Sequence, residues 1–138
     1  MDKYLSRKEY LKKYDSNVGY ALYVQNNIKR DDYVRLNTGK IVKVTGIKEN
    51  KLNKKAIYFG IYEQDWFDSM AVENFSDKPI DLIEVGDYVN GELVYNEQGY
   101  LAIERCEYIP PFELLENIDI KSIVTHEQMA SIEYKVEE

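Results

Sequence analysis

The stretch Tyr33-Val34-Arg35-Leu36-Asn37-Thr38-Gly39-Lys40-Ile41-Val42-Lys43-Val44-Thr45-Gly46-Ile47 decides the fold class. Two runs rich in β-branched residues flank a polar turn, and Gly39 supplies the positive φ that a tight turn wants. The stretch therefore reads as a β-hairpin, and the segments around it continue the theme. Downstream, Lys48 to Lys55 is a polar, Lys-rich loop, and Ala56 to Tyr62 is a β-branched and aromatic strand. Glu63 to Ser69 reads as a loop and Met70 to Phe75 as a strand. Ser76-Asp77-Lys78-Pro79 breaks the pattern, because proline cannot donate to a ladder.

Further on, Gly86-Asp87-Tyr88-Val89-Asn90-Gly91 reads as a short strand entered through a tight turn. Leu93-Val94-Tyr95 and Tyr100 to Tyr108 flank Asn96-Glu97-Gln98-Gly99, a second hairpin that Pro110-Pro111 ends. Ile118 to Val124 is a strand. Thr125 and Gln128 form a capping box that opens a helical turn through Ala130. Ile132, Tyr134 and Val136 alternate as a last strand. Upstream, Val18, Tyr20, Leu22 and Val24 alternate with Gly19, Ala21 and Tyr23, the period of a strand. Before it, Ser6 and Glu9 make an S-x-x-E capping box, which predicts a helix over 5–14 with Tyr10, Leu11 and Tyr14 on one face.

Eight or nine short strands, two short helices and no βαβ spacing predict a mainly β fold, a barrel or sandwich of short antiparallel strands. The chain of 138 residues suits a single domain over 1–138, with sub-blocks at 17–75 and 80–138. Its composition, 44% hydrophobic and 31% charged, excludes a wholly disordered chain. No apolar run approaches the ~20 residues that cross a bilayer, and residues 1–5 hold no apolar segment of signal-peptide length. One cysteine permits no intrachain disulfide. A soluble cytoplasmic protein is the expectation.

The net charge of -7 is unevenly spread. Residues 1–55 hold 14 Lys+Arg against 6 Asp+Glu, a balance of +8, and residues 56–138 hold 4 against 19, a balance of -15. Such asymmetry points to polyionic partners or to a second copy of the chain, if the two blocks form separate faces.

Enzyme signatures are missing. The sequence contains no Walker-type phosphate loop, no dinucleotide fingerprint and no G-x-S-x-G elbow. Cys106 and His126 are the only residues of their kinds, too few for a Cys/His zinc site. Cys106 falls in the Leu101-Ile103 strand region, where a free thiol packs as a small hydrophobe; His126, at the start of a capped helix, faces solvent. The many carboxylates, such as Asp65 and Asp68, show no D-x-D-x-D ligand spacing. No catalytic residue, cofactor or metal is expected.

Two segments suit binding. Tyr62-Glu63-Gln64-Asp65-Trp66-Phe67-Asp68 sets the only Trp beside Phe among acids, the composition of an interface anchor. Asp65, Trp66, Phe67, Asp68 and Glu73 are its candidate contacts with a protein partner. The competing expectation is that Trp66 or Phe67 folds inward and plugs the barrel end, the commoner fate of a lone Trp in a small domain. The second segment is the loop from Lys48 to Lys55. With Tyr33, Arg35, Lys51, Lys54, Lys55 and Tyr58 it offers phosphate contacts and stacking faces for a nucleic acid or nucleotide; a solvated Lys loop that guards a strand edge is the alternative.

The stretch from Ser76 to Gly91, containing Asp81-Leu82-Ile83-Glu84-Val85-Gly86-Asp87-Tyr88-Val89-Asn90-Gly91, resembles a signature of short proteins carried by phages and prophages of Gram-positive bacteria. Ile120-Lys121-Ser122-Ile123-Val124-Thr125-His126-Glu127-Gln128-Met129 with Tyr134-Lys135-Val136 resembles that family's C-terminus, and the Val34 to Ile41 hairpin resembles its usual start. The resemblance covers about residues 33–136 and leaves out the helix at 5–14. It implies a setting, an accessory phage gene acting in a bacterial cytoplasm, and carries over no site residue. The hairpin around Gly39 also resembles KOW-type small barrels.

Together these readings predict a non-enzymatic inhibitor of a bacterial defence system, such as an anti-CRISPR protein. It would work by binding and occlusion, with an acidic surface imitating a nucleic acid and a host effector or nuclease as partner. A nucleic-acid or nucleotide-signal binder is the alternative. No membrane is implied.

Overall fold

The computed structural model describes residues 4–50, 55–60 and 65–132. It divides into two compact units, Met1–Leu82 and Ile83–Glu138. The division follows the Pro79–Leu82 turn of 3-10 helix, and the N-terminal helix belongs to the first unit.

Helix α1 (Arg7–Tyr14) begins where the sequence predicts. Ser6 Oγ accepts from the Glu9 amide at 3.2 Å, and Glu9 Oε1 accepts from the Ser6 amide at 3.1 Å. The next element corrects the sequence reading. Val18 to Val24 is not a strand but part of helix α2 (Asn17–Asn27). A run at 18, 20, 22 and 24 contains two i,i+4 pairs, so alternation this short also satisfies a helix. Packing chooses between them. Tyr20, Ala21, Val24 and Ile28 are buried at helical spacing, while Val18 and Leu22 stay exposed. Ser16 caps the helix by accepting from the Gly19 amide at 2.9 Å.

The first hairpin forms as expected. β1 (Tyr33–Leu36) pairs antiparallel with β2 (Ile41–Lys43), Val34 opposite Val42, and Gly39 has a φ of 88°. The chain then turns at Val44-Thr45 rather than continuing straight. Thr45 Oγ1 donates to the Gly60 carbonyl at 2.6 Å, and β3 (Gly46–Asn50) pairs with β4 (Lys55–Phe59). Lys48 to Asn50 is thus strand where a loop was expected; residues 51–54 and 61–64 lie outside the described residues. β5 (Phe67–Asp68) pairs with β4, one turn of 3-10 helix spans Ser69–Ala71, and β6 (Val72–Ser76) returns to β1. The described residues of the first unit therefore form two three-stranded sheets, β2-β1-β6 and β3-β4-β5. Both contribute to one core with α2, built on Tyr20, Val24, Val34, Val42, Val44, Tyr58, Phe67, Val72 and Phe75.

In the second unit, β7 (Tyr88–Val89) lies between β8 (Glu92–Leu93) and β12 (Ile123–Val124). β9 (Tyr95–Glu97) and β10 (Tyr100–Glu104) form the second hairpin as the sequence predicts, turning through Gln98 and Gly99 at φ 52° and 95°. β11 (Phe112–Leu114) extends this sheet on the far side of β10 and was not foreseen. Helix α3 (His126–Ile132) opens on the T-x-x-Q box, with the Thr125 amide donating to Gln128 Oε1 at 3.0 Å.

Three expectations need correction here. Of Ile118 to Val124 only Ile123–Val124 is strand. The Asn90 side chain, accepting from the Lys121 and Ser122 amides at 2.8 and 3.1 Å, satisfies backbone that a ladder would otherwise pair. Ile132 ends α3 instead of starting a strand; Tyr134 and Val136 lie outside the described residues. Cys106 lies beyond β10 and is exposed rather than packed.

Among the described residues the fold is thus made mostly of small antiparallel sheets, four of three strands each, with three α-helices. Among the described residues no sheet closes on itself, and no helix is long and apolar enough to cross a membrane.

Candidate functional site

Five candidate contacts come from the acidic aromatic segment, and the structure treats them very differently. Phe67 is core: it is 3% exposed, and its ring stacks on Tyr58 with centroids 5.3 Å apart. Pairing of Phe67 with Tyr58 across β5 and β4 sets this position. Asp65 is also buried; its carboxylate holds Lys40, and its carbonyl accepts from the Gly60 amide at 3.0 Å. Trp66, between them, is 61% exposed. The expectation that an aromatic of this segment plugs the interior is met by Phe67, and that leaves Trp66 on the surface. Both neighbours are pinned, so the Trp66 backbone is held while its indole projects.

The remaining acids are engaged locally. Asp68 accepts from the Met70 amide at 2.9 Å and caps the short 3-10 turn. That turn leaves Met70 47% exposed. Glu73 pairs with Arg7 at 3.4 Å, and Arg7 also donates to the Met70 and Val72 carbonyls at 2.7 and 2.9 Å. Among its described residues the segment is therefore an apolar projection on a braced base, with its acids engaged in local contacts.

Two contacts of the basic alternative lie in the interior. Arg35 is fully buried and donates from Nη1 to the Leu82 carbonyl at 2.9 Å. Tyr58 is 1% exposed, and burial pushes its phenol up to about 12. Neither offers a surface to a phosphate or a base, which corrects the picture of both as ligand contacts. β-pairing with β2 and β6 directs Arg35 inward, and its guanidinium is accommodated by satisfied hydrogen bonds. Tyr33 is half-buried, and Lys43 Nζ lies 5.8 Å from its ring centroid. Lys55 opens β4, and Lys51 and Lys54 lie outside the described residues.

In the second unit, a shallow depression of ≈ 260 Å³ is lined by Glu92, Glu104, Arg105, Cys106, Glu107 and Tyr108. His126, expected to face solvent, does so, but it meets the carboxylates of Glu84 and Glu127 there. Glu84 and His126 are 42 positions apart, so no spacing rule brings them together. The signal was present only as two unconnected turns, Gly86-Asp87 and the capped start of α3.

Comparison of the chain with protein-family models, with curated proteins and with solved structures finds no match.

Proposed function

We propose that this chain is a binding protein that acts by covering a partner's surface, with Trp66 as the anchor. One observation carries the reading: an indole 61% exposed between two buried neighbours, on a base braced by β4, Lys40 and Gly60. A large aromatic held in one place loses little conformational freedom on docking and contributes much buried area, which is why Trp dominates interface energetics. The resemblance of residues 33–136 to phage and prophage proteins supplies the setting. In that setting the partner is a host defence effector or nuclease in a bacterial cytoplasm, and the action is non-enzymatic. The second unit holds 3 Lys+Arg against 13 Asp+Glu, a balance of -10. Such a surface suits a basic groove that ordinarily takes nucleic acid. The two sheets of the first unit share a core, and we infer that they pack as parts of a small open barrel or sandwich. The nucleotide-binding alternative has less support, since Arg35 and Tyr58 are inside that core.

The test is inhibition. The purified chain is titrated into cleavage assays of RNA-guided nucleases, and plating of sensitive phages is scored on hosts that carry defence systems. Dose-dependent inhibition that weakens with salt is expected, reduced about 10-fold or more in Trp66→Ala. Equal inhibition by Trp66→Ala removes the anchor. No protection in any system removes the anti-defence reading.

A further inference from the structure

The second unit brings three potential metal ligands to one point. His126 Nε2 lies 3.0 Å from Glu84 Oε1 and 2.7 Å from Glu127 Oε1. One ligand atom from each residue falls within 4.8 Å of both others. The segments that carry them are tied by a single buried group. Asp87 is fully buried; its Oδ2 accepts from the Glu84 amide at 2.7 Å, and its Oδ1 accepts from the His126 amide at 2.9 Å. Gly86, at φ +96°, makes the turn between them and leaves room beside the imidazole, where an added Cβ would sit 3.6 Å from His126 Cβ. The amide of His126 is already used by Asp87. The cluster is therefore one of side chains and owes nothing to the helix end.

The donor set is one that a divalent cation can use. An imidazole nitrogen carries one proton at most, yet two carboxylates converge on Nε2. A dication in place of that proton would meet the imidazole nitrogen and both carboxylates at once. Zinc takes imidazole nitrogen and carboxylate oxygen at about 2.0–2.2 Å. Around a tetrahedral ion that spacing puts ligand atoms about 3.3–3.6 Å apart. The two imidazole–carboxylate separations need to open by about 0.3–0.9 Å, within reach of side chains that are 27% to 51% exposed. One imidazole with two carboxylates favours a borderline cation such as Zn²⁺ over Mg²⁺ or Ca²⁺.

We propose that Glu84, His126 and Glu127 form a three-ligand site for a divalent transition-metal cation, with Zn²⁺ as its natural size and charge. The fourth position is left to water or to a group of a partner. The site is independent of the Trp66 reading. Its test uses the untagged full chain carrying Cys106→Ser, so that the exposed thiol does not compete for metal. Zn²⁺ affinity is read by competition with a chromophoric chelator. One equivalent is expected to bind; His126→Ala should weaken it about 100-fold, and Glu84→Gln and Glu127→Gln about 10-fold each, with Glu116→Gln unchanged. His126 is the only histidine, so its imidazole NMR signals give a second readout that does not depend on any variant folding. Co²⁺ should shift or broaden them at one equivalent. Failure of the parent chain to compete for Zn²⁺, wild-type affinity in a folded His126→Ala, or imidazole signals unmoved by Co²⁺ would each overturn the proposal.

Discussion

Asp87 is a single carboxylate on which two distant backbones depend. Fully buried, it accepts from the amides of Glu84 and His126, one on each oxygen. Hydrogen bonds to a charged acceptor are the strong ones, and an amide left unpaired in the interior loses its hydration as well. Asp87→Ala should therefore destabilise the protein by about 2–3 kcal/mol in urea unfolding. Asp87→Asn, which keeps one acceptor, should lose clearly less. At the same scale, Tyr58 predicts an alkaline limit. Its folded phenol is held at about 12, against an ordinary value near 10, because burial disfavours the phenolate. Below the unfolded value both states keep the proton and the stability is intact. As pH rises from about 10 to about 12, the unfolded chain loses a proton that the folded chain retains, so stability falls. Tyr20 is raised for the same reason, with the Arg7 guanidinium opposing the shift. Absorbance titration of tyrosinate should show a delayed fraction to which the buried Tyr58 contributes. Tyr58→Phe should shrink that fraction, and an unchanged titration would refute the assignment. Nothing in the residue type foretold these roles. An arginine in a Lys-rich half suggested phosphate, yet strand pairing turns Arg35 inward onto the Leu82 carbonyl.

Among the elements, those fixed by local chemistry were legible. Both capping boxes form, at Ser6/Glu9 and Thr125/Gln128, because each closes within four residues. The two hairpins form around Gly39 and Gln98-Gly99 because those turns need positive φ. Elements chosen by packing were not legible. Val18 to Val24 satisfies both periods, and the Tyr20/Val24/Ile28 face wins only because Val34, Val72 and Phe75 are there to cover it. The aromatic contacts of that helix, Tyr10 to Tyr20 at 5.4 Å and to Tyr23 at 5.5 Å, join it to α1. Gly60 shows the same limit from the other side. At this position a Cβ would lie 2.6 Å from both Val42 Cγ1 and Asp65 Cβ. Gly60→Ala should therefore destabilise the first unit by about 1–3 kcal/mol, although Ala is ordinarily the better residue for chain entropy. It should also loosen the Trp66 base, since the Gly60 amide holds the Asp65 carbonyl. Thermal unfolding and Trp66 fluorescence check both effects, and unchanged values would show that the backbone yields at no cost.

Over the whole chain, the charge asymmetry survives folding in altered form. The first unit holds 15 Lys+Arg against 12 Asp+Glu, a balance of +3, and the second carries -10. The acidic excess is thus a property of one unit, while the basic block is diluted by the acids of residues 63–81. With a sequence pI of about 4.9, net repulsion between copies vanishes near that pH. Turbidity at low salt should peak there and fall on either side; a peak displaced by more than about one pH unit would mean that bound counter-charge dominates. Trp66→Ala should leave the unfolding midpoint nearly unchanged, since an exposed indole contributes little to the core. The β-rich class, the hairpins and the caps were readable from the chain alone because each depends on residues a few positions apart, and the two-part charge because it is composition. Only the tertiary structure decided that α2 is a helix, that Phe67 fills the interior while Trp66 leaves it, and that Glu84 meets His126. Those outcomes depend on which faces are covered and on contacts across tens of residues, and such contacts leave no period in a sequence.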